Sequence, residues 1–169
     1  MNATQIDEVP YERIEVRVLG SLRVRRADGT VVDPAEWRTA QTADLLRLLA
    51  LHVGEPVAVD VLVEALWPNV DDSRGRASLR TAASRIRKAL DEDCVQRRLG
   101  GLVLTGAWVD ANAFGALAQQ SRRHILNGEL AKAVTTTREA EALYLGEFRS
   151  HHDNTEWALR ERHGSNIVV

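Results

Sequence analysis

Apolar and polar positions change period several times along the 169 residues, and each change marks an element. In "RIEVRVLGSLRVRRADGTVV", Val16 and Val18 alternate with Arg17 and Leu19, Gly20-Ser21 offers a turn, Leu22 and Val24 resume the alternation, and Asp28-Gly29 stands where a tight hairpin needs positive φ; this predicts an N-terminal antiparallel sheet. From Thr42 to Val53, "TADLLRLLALHV" switches to leucine-rich helical spacing, with Thr42 as the expected N-cap and Gly54 as the terminator. "VDVLVEALWP" gives a short second helix with Leu62, Ala65 and Leu66 inward, closed at Trp67 because a residue before proline avoids the α region. The intervening segment is read as too short for a strand and a further helix.

The loop "PNVDDS" leads to a third helix over Arg74 to about Leu90, with Asp72 or Ser73 as its expected cap. "CVQRRLGGLVLT" then gives two short strands around Gly100-Gly101, the pattern of a two-residue β-hairpin. The order sheet, helix, helix, helix, hairpin is the plan of a winged helix-turn-helix. From "GAWVD" onward the pattern becomes wholly helical, with two amphipathic helices joined at Asn127-Gly128, like one unit of a helical repeat array. A further helix is expected near Asn154, with Trp157 and Leu159. The expected class is α+β: residues 1–13 a loose start, 14–107 a winged helix with N-terminal sheet and C-terminal hairpin wing, and 108–169 a partial all-α, TPR-like helical segment.

Charge sharpens this picture. The net charge of −2 points to no class of partner, but it hides a segregation. Residues 1–72 carry seven Arg against thirteen acids, and residues 99–169 carry seven bases against eight. Between Ser73 and Arg98 stand Arg74, Arg76, Arg80, Arg85, Arg87, Lys88, Arg97 and Arg98 against only Asp91, Glu92 and Asp93. Local sign, rather than the total, sets what a surface attracts.

At 100° per residue, Leu79, Ala83, Ile86 and Leu90 of the third helix fall on one packing stripe. Ala77, Thr81, Ser84 and Lys88 lie opposite, Arg76, Arg80 and Arg87 on one flank, Arg74 and Arg85 towards the other. Small residues let a backbone approach base edges while long cationic ones on both shoulders reach phosphates. The competing reading, an ordinary solvated helix, loses ground because no acid lies between Ser73 and Leu90 to form i,i+4 pairs.

Other chemistry is sparse. Cys94 is the only cysteine, so there is no internal disulfide and no thiolate cluster. "HHDNTEW" offers His151, His152, Asp153 and Glu156, but Asp153 or Asn154 is more simply a helix cap, and no metal site is expected. Trp37, Trp67, Trp108 and Trp157 sit near element ends as packing anchors, with Trp108 docking the second segment on the first. Without a nucleophile elbow, a phosphate-cradling loop or a zinc-protease motif, neither an enzyme nor a cofactor is expected. The acidic start lacks the basic run of a signal peptide, and the longest apolar stretch, interrupted by Arg47 and His52, falls far short of the ~20 residues of a membrane span, so a cytoplasmic location without membrane contact is expected.

"EALWPNVDDSRGRASLRTAASRIRKAL", with "VLGSLRV" and "LLRLLALHVGEPVAVDVLVEALW" upstream, resembles the OmpR/PhoB-type winged-helix domain of the antibiotic-regulatory (SARP-type) transcriptional activators. "WVDANAF" and the helices after it resemble the start of the family's bacterial transcriptional activation domain. The resemblance implies that the third helix reads the major groove of double-stranded DNA, with Arg80, Thr81, Ser84, Arg85, Arg87 and Lys88 facing it. Arg97 and Arg98 on the wing, residues 94–105, would meet the minor groove or backbone, and Arg74 and Arg76 complete the cationic set. It further implies that the loop with Asn69, Asp71 and Asp72 faces RNA polymerase holoenzyme, and that copies bind promoter direct repeats in tandem or as a homodimer to activate transcription. Two departures stand out: Ala58 occupies a cap position where relatives carry Ser or Thr, and the activation domain is short. A protein-interaction module, with the winged helix serving as scaffold, is the alternative.

Overall fold

A computed structural model describes residues 13–144. Among these residues, two small three-stranded sheets and five α-helices follow one another in an α+β arrangement. In the first sheet, β1 (Ile14–Arg17) is central, antiparallel to β2 (Arg23–Arg25) on one side and parallel to β6 (Ala107–Val109) on the other. The sheet is therefore mixed, where the alternation near the N-terminus predicts a purely antiparallel one. Its third strand arrives from 90 residues downstream, with Val16 opposite Val109, and β6 straddles the division expected between residues 107 and 108. After Asp28-Gly29 the chain turns back but adds only an isolated bridge, Arg25 to Val31.

A one-turn 3-10 helix, Pro34–Trp37, leads into α1 (Ala40–Leu51). The cap of α1 is Thr39, whose hydroxyl accepts from the Thr42 N–H, and not Thr42, which is buried one turn inside with its own hydroxyl 2.8 Å from that of Thr39. Every residue from Thr42 to Ala50 is buried, because α1 is enclosed by the other helices and the second sheet. That burial extends to Asp44 and Arg47, which pair at 2.9 Å and so lower the cost of removing two charges from water.

Residues Val57–Ala58 form a two-residue strand, β3, where none was expected; even so short a run satisfies its backbone by pairing with β5 (Gly101–Leu104). β4 (Val95–Arg98) flanks β5 on its other side. The two turn residues are Leu99 and Gly100, one position earlier than the glycine pair suggests. Gly101 is a strand residue, and a Cβ there would collide with the carbonyl of Val57.

α2 (Val59–Leu66) begins at Ala58, which supplies no side-chain cap. The Val59 N–H instead reaches the Gly100 carbonyl at 3.4 Å, while Asp60 turns towards α3 (Asp72–Ala89). Leu45, Leu46 and Leu49 of α1, Leu62 of α2, Ile86 of α3 and Leu104 of β5 are completely enclosed and form the centre of the core. α4 (Asp110–Leu126) starts where β6 ends and packs antiparallel on α5 (Leu130–Leu143). The Asp110 carboxylate is fully buried and accepts from the N–H groups of Val18 at 2.8 Å, Leu19 at 3.1 Å and Ala111 at 2.8 Å, fastening the root of α4 to the end of β1. His151, His152, Asp153, Glu156, Trp157 and the expected last helix lie outside the described residues.

Candidate nucleic-acid interface

α3 starts at Asp71, whose side chain accepts from the Arg74 N–H at 3.0 Å, with Asp72 adding a carboxylate beside the positive end of the helix dipole. It lies one or two positions earlier than the capping residues expected. Gly75 gives α3 its close approach to α2: a Cβ there would stand 2.5 Å from Val63 Cγ1. Leu79, Ala82, Ala83, Ile86 and Ala89 face the core, leaving Arg80, Thr81 and Lys88 exposed on the outer side and Ser84 and Arg85 half-buried.

The cations do not share one fate. Arg76 pairs with Asp72 at 2.8 Å and with Asp60 across the α2–α3 contact, and the Asp72 hydrogen bond, then its charge, raises the guanidinium's affinity for its proton. Arg74 lies 3.4 Å from Asp71. These two serve the start of the helix, through its cap Asp71, its first residue Asp72 and Asp60 on α2. Arg87 donates through Nε to the Val95 carbonyl at 2.7 Å, joining α3 to β4, and Arg98 donates to Gln96 at 2.8 Å. Arg85 lies 3.4 Å from the Thr39 hydroxyl. Arg80, Lys88 and Arg97 have no hydrogen-bond or ion-pair partner among the described residues and extend from the surface.

Position now groups these residues. Arg76, Arg80, Arg87 and Arg97 line a groove of about 270 Å³ between α3 and the β4–β5 hairpin, floored by Val59, Leu79, Ala83 and Leu102. Arg85 and Lys88 lie on the opposite side of α3, beside the 3-10 helix. Between the two banks runs a ridge of Ala77, Thr81 and Ser84; the Thr81 hydroxyl donates back to the Ala77 carbonyl at 3.1 Å. Asn69 is exposed in the turn before α3, and Asp71 and Asp72 are occupied in capping and pairing. Arg38 joins the second bank, and sequence reasoning missed it because it stands alone in an acidic stretch, far from the basic span.

Among the described residues, no group of three or more His, Cys, Asp or Glu side chains is arranged to hold a metal ion, and no helix is long and apolar enough to cross a membrane. Cys94 is buried, and that burial pushes its thiol above its ordinary pKa, so it is a packing residue. Trp37 is buried, whereas Trp108 is half-exposed on β6 with the Arg17 guanidinium 5.5 Å from its ring centre.

No known protein-family model matches the chain. It is 31% identical over 133 residues to the regulatory protein AfsR of Streptomyces coelicolor, covering 77% of this chain and 13% of that protein. It is 34% identical over 79 residues to the transcriptional regulatory protein EmbR of Mycobacterium tuberculosis, covering 47% and 19%. With the regulatory protein DnrI of Streptomyces peucetius it shares 27% over 147 residues, covering 79% and 53%. The chain thus spans from about an eighth to about half of the length of these relatives. The structure of Mycobacterium tuberculosis EmbR in complex with a low affinity phosphopeptide has the same fold over 90% of this chain and 41% of its own, with a TM-score of 0.74 at 21% identity. Over most of the residues described, the chain is thus similar to regulatory proteins of the SARP type.

Proposed function

We propose that the chain is a sequence-specific, double-stranded DNA-binding transcriptional regulator of winged helix-turn-helix type, with α3 in the major groove and the β4–β5 hairpin as the wing. The observation that carries this reading is the small-residue ridge of α3 between two cationic banks, from which Arg80, Lys88 and Arg97 project without partners among the described residues. Thr81 and Ser84 read base edges, Arg80, Arg85, Lys88, Arg97 and Arg98 meet phosphates, and Arg87 holds the wing against the helix while presenting its remaining N–H groups. Arg74 and Arg76 act at one remove, by fixing the start of α3 on α2.

As in the family resemblance, the role extends to activation. The turn at Asn69, with Asp71 and Asp72, faces RNA polymerase, and copies line up on direct repeats or pair as homodimers. The α4–α5 pair is the beginning of a TPR-like activation domain.

Fluorescence anisotropy across a salt series, on duplexes selected by the protein from random sequence, tests the reading. Specific binding is expected, with log affinity falling linearly against log salt. Arg80→Ala and Arg97→Ala should each weaken binding on every sequence and reduce the salt slope by about one, while Thr81→Ala or Ser84→Ala should alter sequence preference. Absence of specific binding, or a flat salt response, rejects the proposal.

One observation favours the second reading, a protein-interaction module. Ile125, Leu126, Leu130 and Val134 are exposed around the α4–α5 turn and form an apolar tip. Leu126→Glu with Leu130→Glu would abolish function without touching DNA affinity if that reading is correct, whereas the DNA-binding reading predicts that the α3 substitutions above abolish it.

A further inference from the structure

The second bank of α3 contains a residue that neither charge patterning nor resemblance brings forward. Arg38 follows the 3-10 helix with φ of 63° and ψ of −30°, a left-handed conformation that arginine adopts only at a cost in strain. Its N–H closes that helix on the Ala35 carbonyl at 3.2 Å, a role any residue could fill. Its side chain is exposed and has no partner among the described residues.

Arg38 lines one cleft together with Arg85 and Lys88 of α3. The two acids of that cleft are already engaged: Asp33 accepts from the Ala35 N–H at 2.8 Å, and Glu36 accepts from the Asp33 N–H at 3.0 Å and pairs with Arg26 at 2.5 Å. Beside these acids stand three cations from two separate elements, the exposed Arg38 and Lys88 and the half-buried Arg85, lining one shallow cleft of about 510 Å³. The Thr39 hydroxyl, 3.4 Å from Arg85, keeps the Arg85 guanidinium near the junction of the two elements.

We propose that Arg38, Arg85 and Lys88 form a second phosphate-binding ledge, which grips the DNA backbone on the wall of the major groove opposite the one met by Arg80 and Arg97. The proposal rests on the DNA-binding reading above. A helix in the major groove lies between two sugar-phosphate walls, and a cation bank on one shoulder alone would leave it free to roll. Because the ledge spans α3 and the residue just before α1, it fixes the roll angle of the recognition helix and not only its charge. Arginine suits the position for its planar, multi-donor guanidinium, which satisfies phosphate oxygens in pairs.

The test uses the full chain carrying Arg38→Gly, since glycine takes the left-handed conformation without strain. Its melting temperature should equal or exceed that of the unsubstituted protein, which establishes folding. On single-site duplexes, specific and non-specific alike, affinity should fall by about five- to tenfold near 0.1 M salt, and the salt slope should shrink by about one. Lys88→Ala should do the same. Unchanged affinity and slope for a folded Arg38→Gly protein, where the unsubstituted chain binds DNA normally, would overturn the ledge and leave the parent reading intact. Failure of the unsubstituted chain to bind any duplex would instead sink the parent reading. A change confined to some sequences would make Arg38 a base reader, and a loss seen only on two-site duplexes would assign the ledge to a second copy of the chain; either result overturns phosphate binding.

Discussion

The Arg87 guanidinium donates through Nε to the Val95 carbonyl at 2.7 Å, so the C-terminal half of α3 and the first strand of the hairpin are held in one register. Arg87→Met keeps the aliphatic stem and removes the donor, leaving a buried residue's carbonyl without its partner. It should cost about 1–2 kcal/mol of unfolding free energy, read from urea denaturation. DNA affinity should fall on all sequences together. A variant as stable as the parent would show that the hydrogen bond positions nothing.

Gly75 and Val63 set the spacing of α2 and α3. In Gly75→Ala the new methyl must displace Val63, an overpacking cost of about 1–3 kcal/mol, against roughly 1 kcal/mol gained in helix propensity. Net destabilisation is expected, and Val63→Ala in the same chain should recover part of it. Additive losses in the double variant would contradict the shared contact.

Burial pushes the Asp110 carboxyl above its ordinary 3.8, and the N–H groups of Val18, Leu19 and Ala111 draw it partway back. A carboxyl whose folded pKa is raised contributes most below its unfolded value, and that contribution is lost as pH rises through the folded one. The stability difference between the parent and Asp110→Asn should therefore shrink from about pH 3.5 towards neutrality, by denaturation at a series of pH values. A difference that grows with pH would mean that the three N–H donors outweigh desolvation.

Leu99 sits at the hairpin tip with φ of 48° and is 95% exposed. Its side chain packs on nothing that would offset a left-handed backbone. Leu99→Asn should raise stability by about 1 kcal/mol, visible as a higher melting temperature, because asparagine tolerates both positions of such a turn. A lower melting temperature would refute this.

What was legible in the chain followed periodicity and local chemistry. Leu79, Ala83 and Ile86 define the buried side of α3 because only one helical phase puts them together, and Trp67-Pro68 ends α2 for a purely local steric reason. The details that shifted depend on distant partners. Thr39 and Thr42 are equally good caps in isolation, and burial of Thr42 in the core decides between them. The glycine pair leaves the hairpin turn ambiguous by one residue until the Val57 carbonyl is seen against Gly101. Arg76 has Asp72 one turn before it, outside a helix read as starting at Arg74, and its second acid, Asp60, lies on another helix. β6 has only three residues, and its parallel pairing with β1 leaves no local turn to announce it.

That pairing governs where the molecule can be cut. A piece ending at residue 107 would lose Val109 from the edge of β1 and Asp110 from the N–H groups of Val18 and Leu19, exposing backbone that the intact sheet conceals. A piece that keeps these contacts around α3 has to run through Asp110 and include the first turn of α4. The first sheet and α4 therefore meet through covalent and hydrogen-bonded structure at Asp110, with no linker between β6 and α4.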